Sequence, residues 1–169
     1  MIPRRAARSG QRRDGNAERA ADPAAVRAAA VALLARRDFA RAELCQRLDA
    51  AGFDARAVAE ALAVLAAEGV LDDERYAHNY VNYHAGRGQG PIRIGADLRA
   101  RGLAQPLIEA ALASGPDWHA SAAAARARRF GKSAPADWRE KARQARFLQY
   151  RGFSADHIRA ATGADRDTD

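Results

Sequence analysis

The chain has 169 residues, 48% of them apolar but only 7% aromatic, and a net charge of +7. Alanine carries much of the apolar share, which favours helix and thin, close-packed cores, and β-branched or aromatic residues never alternate over a strand's length. The single cysteine, Cys45, rules out an internal disulfide, no apolar run reaches the ~18 residues of a membrane span, and the arginine-bearing N-terminus lacks the apolar core of a secretory signal, so a soluble cytoplasmic protein is expected.

Residues 1–22 carry six arginines against three acids and show no apolar periodicity, so they are expected to form a disordered basic tail. Order is expected to begin at Asp22-Pro23, an N-cap followed by proline at the first helical position. A first module, 23–71, reads as three helices. Pro23–Arg37 places Val26, Ala30, Leu33 and Leu34 on one face, Arg41–Ala51 sets Leu44 and Leu48 four apart, and Ala55–Glu68 repeats apolar residues at helical spacing up to Gly69. The second of these helices lacks half a capping box, because Ala40 stands where a Ser or Thr would pair with Glu43.

The second module, 72–115, opens on Asp72, a good N-cap, with Asp73 and Glu74 suited to the positive helix end. Tyr76, Ala77, Tyr80, Val81 and His84 form one inward stripe. The segment Gly86–Pro91 is a turn whose Gly90-Pro91 starts the next helix, with Ile94 and Leu98 inward, and Leu107, Ile108, Ala111 and Leu112 follow on the third. The third module, 116–163, begins after a Ser-Gly-Pro-Asp break. Its first helix runs to about Phe130, Trp138, Ala145 and Leu148 supply a buried stripe on the second, and Ile158 and Ala161 close the third. Residues 164–169 read as a frayed end.

These modules are copies of one unit. Gly52, Gly102 and Gly152 stand fifty residues apart, and the segments from Leu48, Leu98 and Leu148 align without a gap. A fixed period of this size marks stacked supersecondary repeats. Each glycine is placed as the left-handed residue just past a helix end, where a Cβ is costly, and the next residue then packs back on the leucine: Phe53 on Leu48, Leu103 on Leu98, Phe153 on Leu148. Asp54 and Ser154 are positioned to cap the helices that follow, and Ala104 is not. The fold expected is all-α: three tandem three-helix, helix-turn-helix-like repeats in an elongated, curved array.

The chemistry left open is that of binding. His78, His84, His119 and His157 are scattered, no metal-ligand spacing occurs, and neither a phosphate-cradling glycine loop nor a nucleophile motif is present, so no catalytic residue, metal or cofactor is expected. The third helices carry few side chains able to read base edges, chiefly Arg56, Gln105, His157 and Arg159, which argues against sequence-specific DNA readout. The third module is richest in cations: Arg139, Arg143 and Arg146 fall at i, i+4 and i+7, with Arg126, Arg128, Arg129 and Lys132 nearby in sequence. Such a stripe suits phosphate or an acidic protein face. Arg99, Arg101 and Arg151 sit where they also stabilise negative helix ends.

The stretch Leu71–Leu103 (LDDERYAHNYVNYHAGRGQGPIRIGADLRARGL) resembles the RecX family, regulators of the RecA recombinase. Its acidic helix start, Arg75-Tyr76-Ala77, Gly88-x-Gly90-Pro91, Arg93-Ile94 and Leu98-Arg99-x-Arg101-Gly102 fill the family's places. Arg128–Lys132 (RRFGK) and Ala145–Phe153 (ARFLQYRGF) match further along. The resemblance implies a non-enzymatic, monomeric regulator that binds RecA and the RecA–single-stranded-DNA filament and mainly inhibits it, in DNA repair and the SOS response, with weak DNA binding and no membrane contact. The residues expected to contact such a filament are Arg75, Arg93, Arg99, Arg101, Arg128, Arg129, Lys132, Arg139, Arg143, Arg146 and Arg151. The alternative is a general DNA-binding helical module that uses arginines on phosphate.

Overall fold

The computed structural model describes residues 18–163, so most of the proposed basic tail and the proposed frayed end lie outside the described residues. Residues 18–21, which the tail was expected to include, form a helical turn instead, and the Ala20 carbonyl accepts the Asp54 N–H at 2.9 Å. Nine longer helices follow, with no strand among the described residues: α1 Pro23–Leu34, α2 Arg41–Ala50, α3 Ala55–Ala67, α4 Asp73–Gly86, α5 Pro91–Ala100, α6 Gln105–Ala113, α7 Trp118–Phe130, α8 Trp138–Tyr150 and α9 Ala155–Thr162. The chain divides into two compact units, one up to Asp73 and one from Glu74 onward.

In the first unit α1, α2 and α3 bury Val26, Ala30, Leu44, Leu48, Val58, Leu62 and Leu65, with Phe39 and Leu71 closing the core. Asp22 accepts from Ala24 N–H at 3.0 Å above Pro23, and Asp54 accepts from Arg56 and Ala57 N–H, each at 3.0 Å. The cap that Ala40 cannot supply at α2 comes from a distant residue: Asp73 Oδ1 accepts the Arg41 N–H at 2.7 Å. Glu43, released from the capping box, pairs with Arg37, whose guanidinium lies 3.6 Å over the Phe39 ring.

The three glycine corners share one local geometry. Gly52, Gly102 and Gly152 have φ of 87°, 81° and 89°. In each, the glycine N–H and the next N–H donate back to the helix end; at the third corner Gly152 donates to Gln149 O at 2.9 Å and Phe153 to Leu148 O at 3.1 Å. This is a Schellman closure, which satisfies carbonyls a helix end would otherwise expose.

Their surroundings differ. A Cβ added at Gly52 would meet nothing within 4 Å, whereas one added at Gly152 would lie 2.4 Å from Arg93 Cβ and 2.6 Å from Arg93 N. Gly90 faces it from the other side: a Cβ there would stand 2.4 Å from the Gly152 carbonyl carbon. The close approach lets Gly90 N–H donate to Arg151 O at 2.8 Å and Ile92 N–H to Gly152 O at 3.0 Å. The start of α5 is thus capped by backbone carbonyls of the third repeat, with Pro91 between them needing no acceptor.

Around this joint α5 and α6 bury Ile94, Leu98, Leu103 and Ile108, and α4 adds Tyr76, Ala77 and Val81. Trp118 Nε1–H donates to Leu112 O at 3.1 Å, joining α7 to the end of α6. The third repeat closes on Ala122, Ala125, Leu148 and Phe153. Trp138, expected on the buried stripe of α8, is instead 73% exposed, in the first helical turn next to the 131–137 loop. The inward position belongs to Gln144, only 2% exposed, because Arg126 on α7 is itself buried and needs an acceptor opposite. On α9, Ser154 Oγ accepts the His157 N–H at 3.3 Å and His157 Nδ1 accepts the Ser154 N–H at 3.3 Å, a reciprocal capping box.

Gly52→Ala is expected to lose about 1–2 kcal/mol from left-handed strain alone. Gly152→Ala adds an overpacking cost of about 1–3 kcal/mol. Urea unfolding and hydrogen exchange of α5 and α8 measure the gap; equal losses would mean the close approach is not a constraint. A second expectation concerns pH. Burial, then neighbouring His119, holds His157 below its ordinary value of 6.5, and burial does the same to His84. The native state therefore binds fewer protons than the unfolded chain just below that value, and stability that is complete above it is lost as pH falls. Asp117 and Glu140 are held below their ordinary 3.8 and 4.5 and titrate outside that window. His157→Gln, which preserves a capping side chain, is expected to narrow the difference in melting temperature between pH 7.5 and 5.5, with His84 supplying the remainder; an undiminished difference would remove His157 from the account.

Candidate functional site

The basic side chains fall into two classes by what holds them. Arg27 pairs with Glu68 at 2.8 Å, Arg56 with Glu60 at 3.0 Å, Arg143 with Glu140 at 2.9 Å and Arg159 with Asp156 at 2.9 Å. These charges are answered within the chain, and exposed pairs of this kind add little stability. Arg143 therefore belongs less to a bare cationic stripe than its spacing with Arg139 and Arg146 implies. Its partner Glu140 also accepts Gln144 Nε2–H at 3.0 Å, and the Gln144 bond followed by Arg143 holds that carboxyl below its ordinary range. Gln144 Oε1 in turn accepts from Arg126 Nη1 at 3.1 Å, and the Ser133 and Lys132 carbonyls take further Arg126 N–H bonds at 2.9 and 3.2 Å. Arg126 is thus a structural cation that ties α7, α8 and the 131–137 loop together.

The second class meets in one place. Arg87, Arg128, Arg129 and Arg151 line a cleft of about 200 Å³ with Phe147 and Ala125 as its apolar wall. Each guanidinium is held by a neutral group. Arg87 donates to the Tyr83 hydroxyl, Arg128 Nη1 donates to Gly86 O at 3.4 Å, Arg129 lies 5.7 Å from the Phe130 ring centre, and Arg151 lies 5.2 Å from that of Phe147. No carboxylate among the described residues pairs with any of the four. The ends of α4, α7 and α8 all open toward this cleft, so helix carbonyls offset part of the charge. What remains suits an anion presented by a partner, since guanidinium forks match carboxylate and phosphate oxygens.

The other predicted residues are placed separately. Arg93 reaches toward Tyr150, 5.9 Å from its ring centre, while its backbone sits against Gly152. Arg99, exposed, donates through Nε and Nη2 to Gln105 Oε1, and half-buried Arg101 donates to the Tyr80 hydroxyl at 3.4 Å, so each is engaged within its own repeat. Arg139 lies 5.5 Å from the Trp138 ring centre. Arg75, Lys132 and Arg146 are exposed. Sequence reasoning missed Arg87, which it passed over as part of a glycine turn; its spacing four residues after Tyr83 was the available signal. Among the described residues no three His, Cys, Asp or Glu side chains are grouped to hold a metal, and no helix is long and apolar enough to cross a membrane.

Comparison with known proteins shows what the chain as a whole is similar to. The family profile "RecX, second three-helix domain" matches residues 72–112 and "RecX, third three-helix domain" matches 117–162. The chain is 50% identical over 146 residues to "Regulatory protein RecX" of Halorhodospira halophila, spanning 86% of this chain and 91% of that one. It is 43% identical over 137 residues to the protein of the same name from Pseudomonas savastanoi pv. phaseolicola, spanning 80% and 88%. Among solved structures, a crystal structure of RecX from Lactobacillus salivarius shares the fold at a TM-score of 0.73 and 21% identity, over 84% of this chain and 95% of that one.

Gln144→Leu is expected to destabilise the second unit by about 1–3 kcal/mol, because it leaves buried Arg126 short of an acceptor. Arg126→Leu combined with Gln144→Leu should recover part of that loss. Urea unfolding of the three variants checks this; a double variant no better than Gln144→Leu alone would contradict it.

Proposed function

The chain belongs to the RecX family of regulatory proteins, and we propose that it binds RecA and the RecA–single-stranded-DNA filament and restrains its recombinase, ATPase and coprotease activities. The observation that carries this reading is kinship with a regulatory protein RecX across 86% of the chain. The protein acts by binding, without catalysis, in the cytoplasm and as a monomer, within DNA repair and the SOS response.

The structure supplies a physical means. A polymer offers the same acidic and phosphate-bearing surfaces at every step, so contacts of modest strength from two units of one chain add through effective concentration. The surface arginines, above all exposed Arg87, Arg128 and Arg129 with half-buried Arg151, give contacts that are steered by charge and weakened by salt. Their uncompensated state in the free protein means that binding an anion breaks no existing ion pair.

The test is RecA's DNA-dependent ATP hydrolysis titrated with the full chain. Inhibition is expected, and its onset well below one molecule per RecA protomer would indicate blocked filament growth, whereas onset near one per protomer would indicate coating. Unaltered hydrolysis at every ratio, together with intact binding to naked DNA, would replace this reading with that of a general DNA-binding module.

A further inference from the structure

We infer that the first unit carries a docking surface for the start of a partner protein's helix, acidic in its first turn and apolar along one face, anchored on the open corner at Gly52. This surface lies in the first unit alone and shares no residue with the arginine cleft.

The chain holds its own template for such a dock. At the third corner the Arg151 and Gly152 carbonyls accept N–H groups from Gly90 and Ile92 at the start of α5. The first corner has the same backbone, with φ of 87° at Gly52 against 89° at Gly152. Yet among the described residues no N–H donates to the Ala51 or Gly52 carbonyl, and both residues are exposed. A Cβ on Gly52 would meet nothing within 4 Å, so the space in front of the corner is open. One half of the joint is built and its counterpart is missing. Carbonyls at a helix end carry partial negative charge and the N–H groups of a helix start carry the opposite sign, so the two attract head to tail.

The ground beside the corner selects the rest of the ligand. An open groove of about 570 Å³ lies between α1 and α2, with Leu33, Leu48 and Phe53 in its lining. A second cleft, of about 250 Å³, adjoins it: Ala51 and Phe53 line both, and Gly52 lines the second. No carboxylate lines either one, whereas Arg36 and Arg47 border the first and Arg19 the second. Arg36 pairs with no carboxylate among the described residues. Arg47 reaches Glu43 at 3.8 Å, and Arg37 already holds that carboxylate. An apolar groove edged by cations takes an amphipathic helix with acids along its rim. Acids suit a helix's first turn, where the free N–H groups favour them. The chain's own N-terminal segment is the wrong sign for this groove, since residues 1–17 carry five arginines against one acid.

The probe is a stapled peptide that starts Gly-Pro-Glu-Glu-Leu and continues as an amphipathic helix, with fluorescein at its C-terminus. Its binding to the full chain is read by anisotropy. Binding is expected, and it should weaken as salt rises. A counterpart with Lys for Glu should bind about tenfold more weakly or worse, and the acidic peptide should lose as much on Arg36→Glu with Arg47→Glu, both exposed positions. Arg139→Glu with Arg146→Glu, the same change of net charge in the second unit, should leave the affinity as it was. In carbon NMR spectra of the wild-type chain the peptide should move the Ala51 and Gly52 carbonyl resonances downfield, a readout that holds even where a charge variant folds poorly. No binding of the acidic peptide, equal binding of the lysine peptide, an equal loss in the second-unit pair, or carbonyl resonances that stay still would each overturn the inference. A peptide of residues 1–17 that displaces the probe would give the groove to the chain's own N-terminus. Self-association of the free chain that disappears in Arg36→Glu with Arg47→Glu would give it to a second copy, and either result overturns the inference as well.

Discussion

The second unit depends on two glycine backbones that touch. Gly90 and Gly152 come so close that neither has room for a Cβ, and the approach lets two carbonyls of one repeat accept the first amides of a helix in another. A side-chain cap would have held α5 locally. A backbone cap ties the start of α5 to the end of α8, so the second and third repeats are built as one piece. Arg151 contributes its carbonyl to that joint and its guanidinium to the cleft, which means that the same contact roots a surface cation in place.

The distribution of charge follows a matching logic. Where a cation serves the fold, it has an acceptor inside the chain: Arg126 has Gln144 and two carbonyls, and Arg27 and Arg143 have carboxylates. Where arginines converge without an acid, they are parked on rings, a hydroxyl and a helix-end carbonyl. Neutral partners orient a guanidinium without cancelling its field. The free protein bears the repulsion of these like charges, and an anionic partner relieves it.

Repetition set the local form of all three corners and left their use to diverge. Gly52 turns into open space, while Gly152 is packed against another backbone. The caps diverged in the same way: Asp54 and Ser154 cap α3 and α9 from the adjoining residue, α6 has no side-chain cap, and α2 draws on Asp73 from beyond its own three helices. A repeat keeps what its backbone needs and improvises what its neighbours supply.

By itself the sequence determined the all-helical repeat, the helix order, the glycine corners with their leucine partners, the Asp22, Asp54 and Ser154 caps, and a kinship that comparison with known proteins upholds. Those features arise from interactions within about five residues, so spacing along the chain records them. Tertiary structure alone decided the rest. It turned Trp138 outward and put Gln144 in its place, because the requirement came from a buried arginine 18 residues away. It supplied the α2 cap from 32 residues away, and it selected Arg87, Arg128, Arg129 and Arg151 from a chain full of arginines. Which cations meet, and whether an acid stands among them, depends on how helix ends are brought together, and no local pattern encodes that.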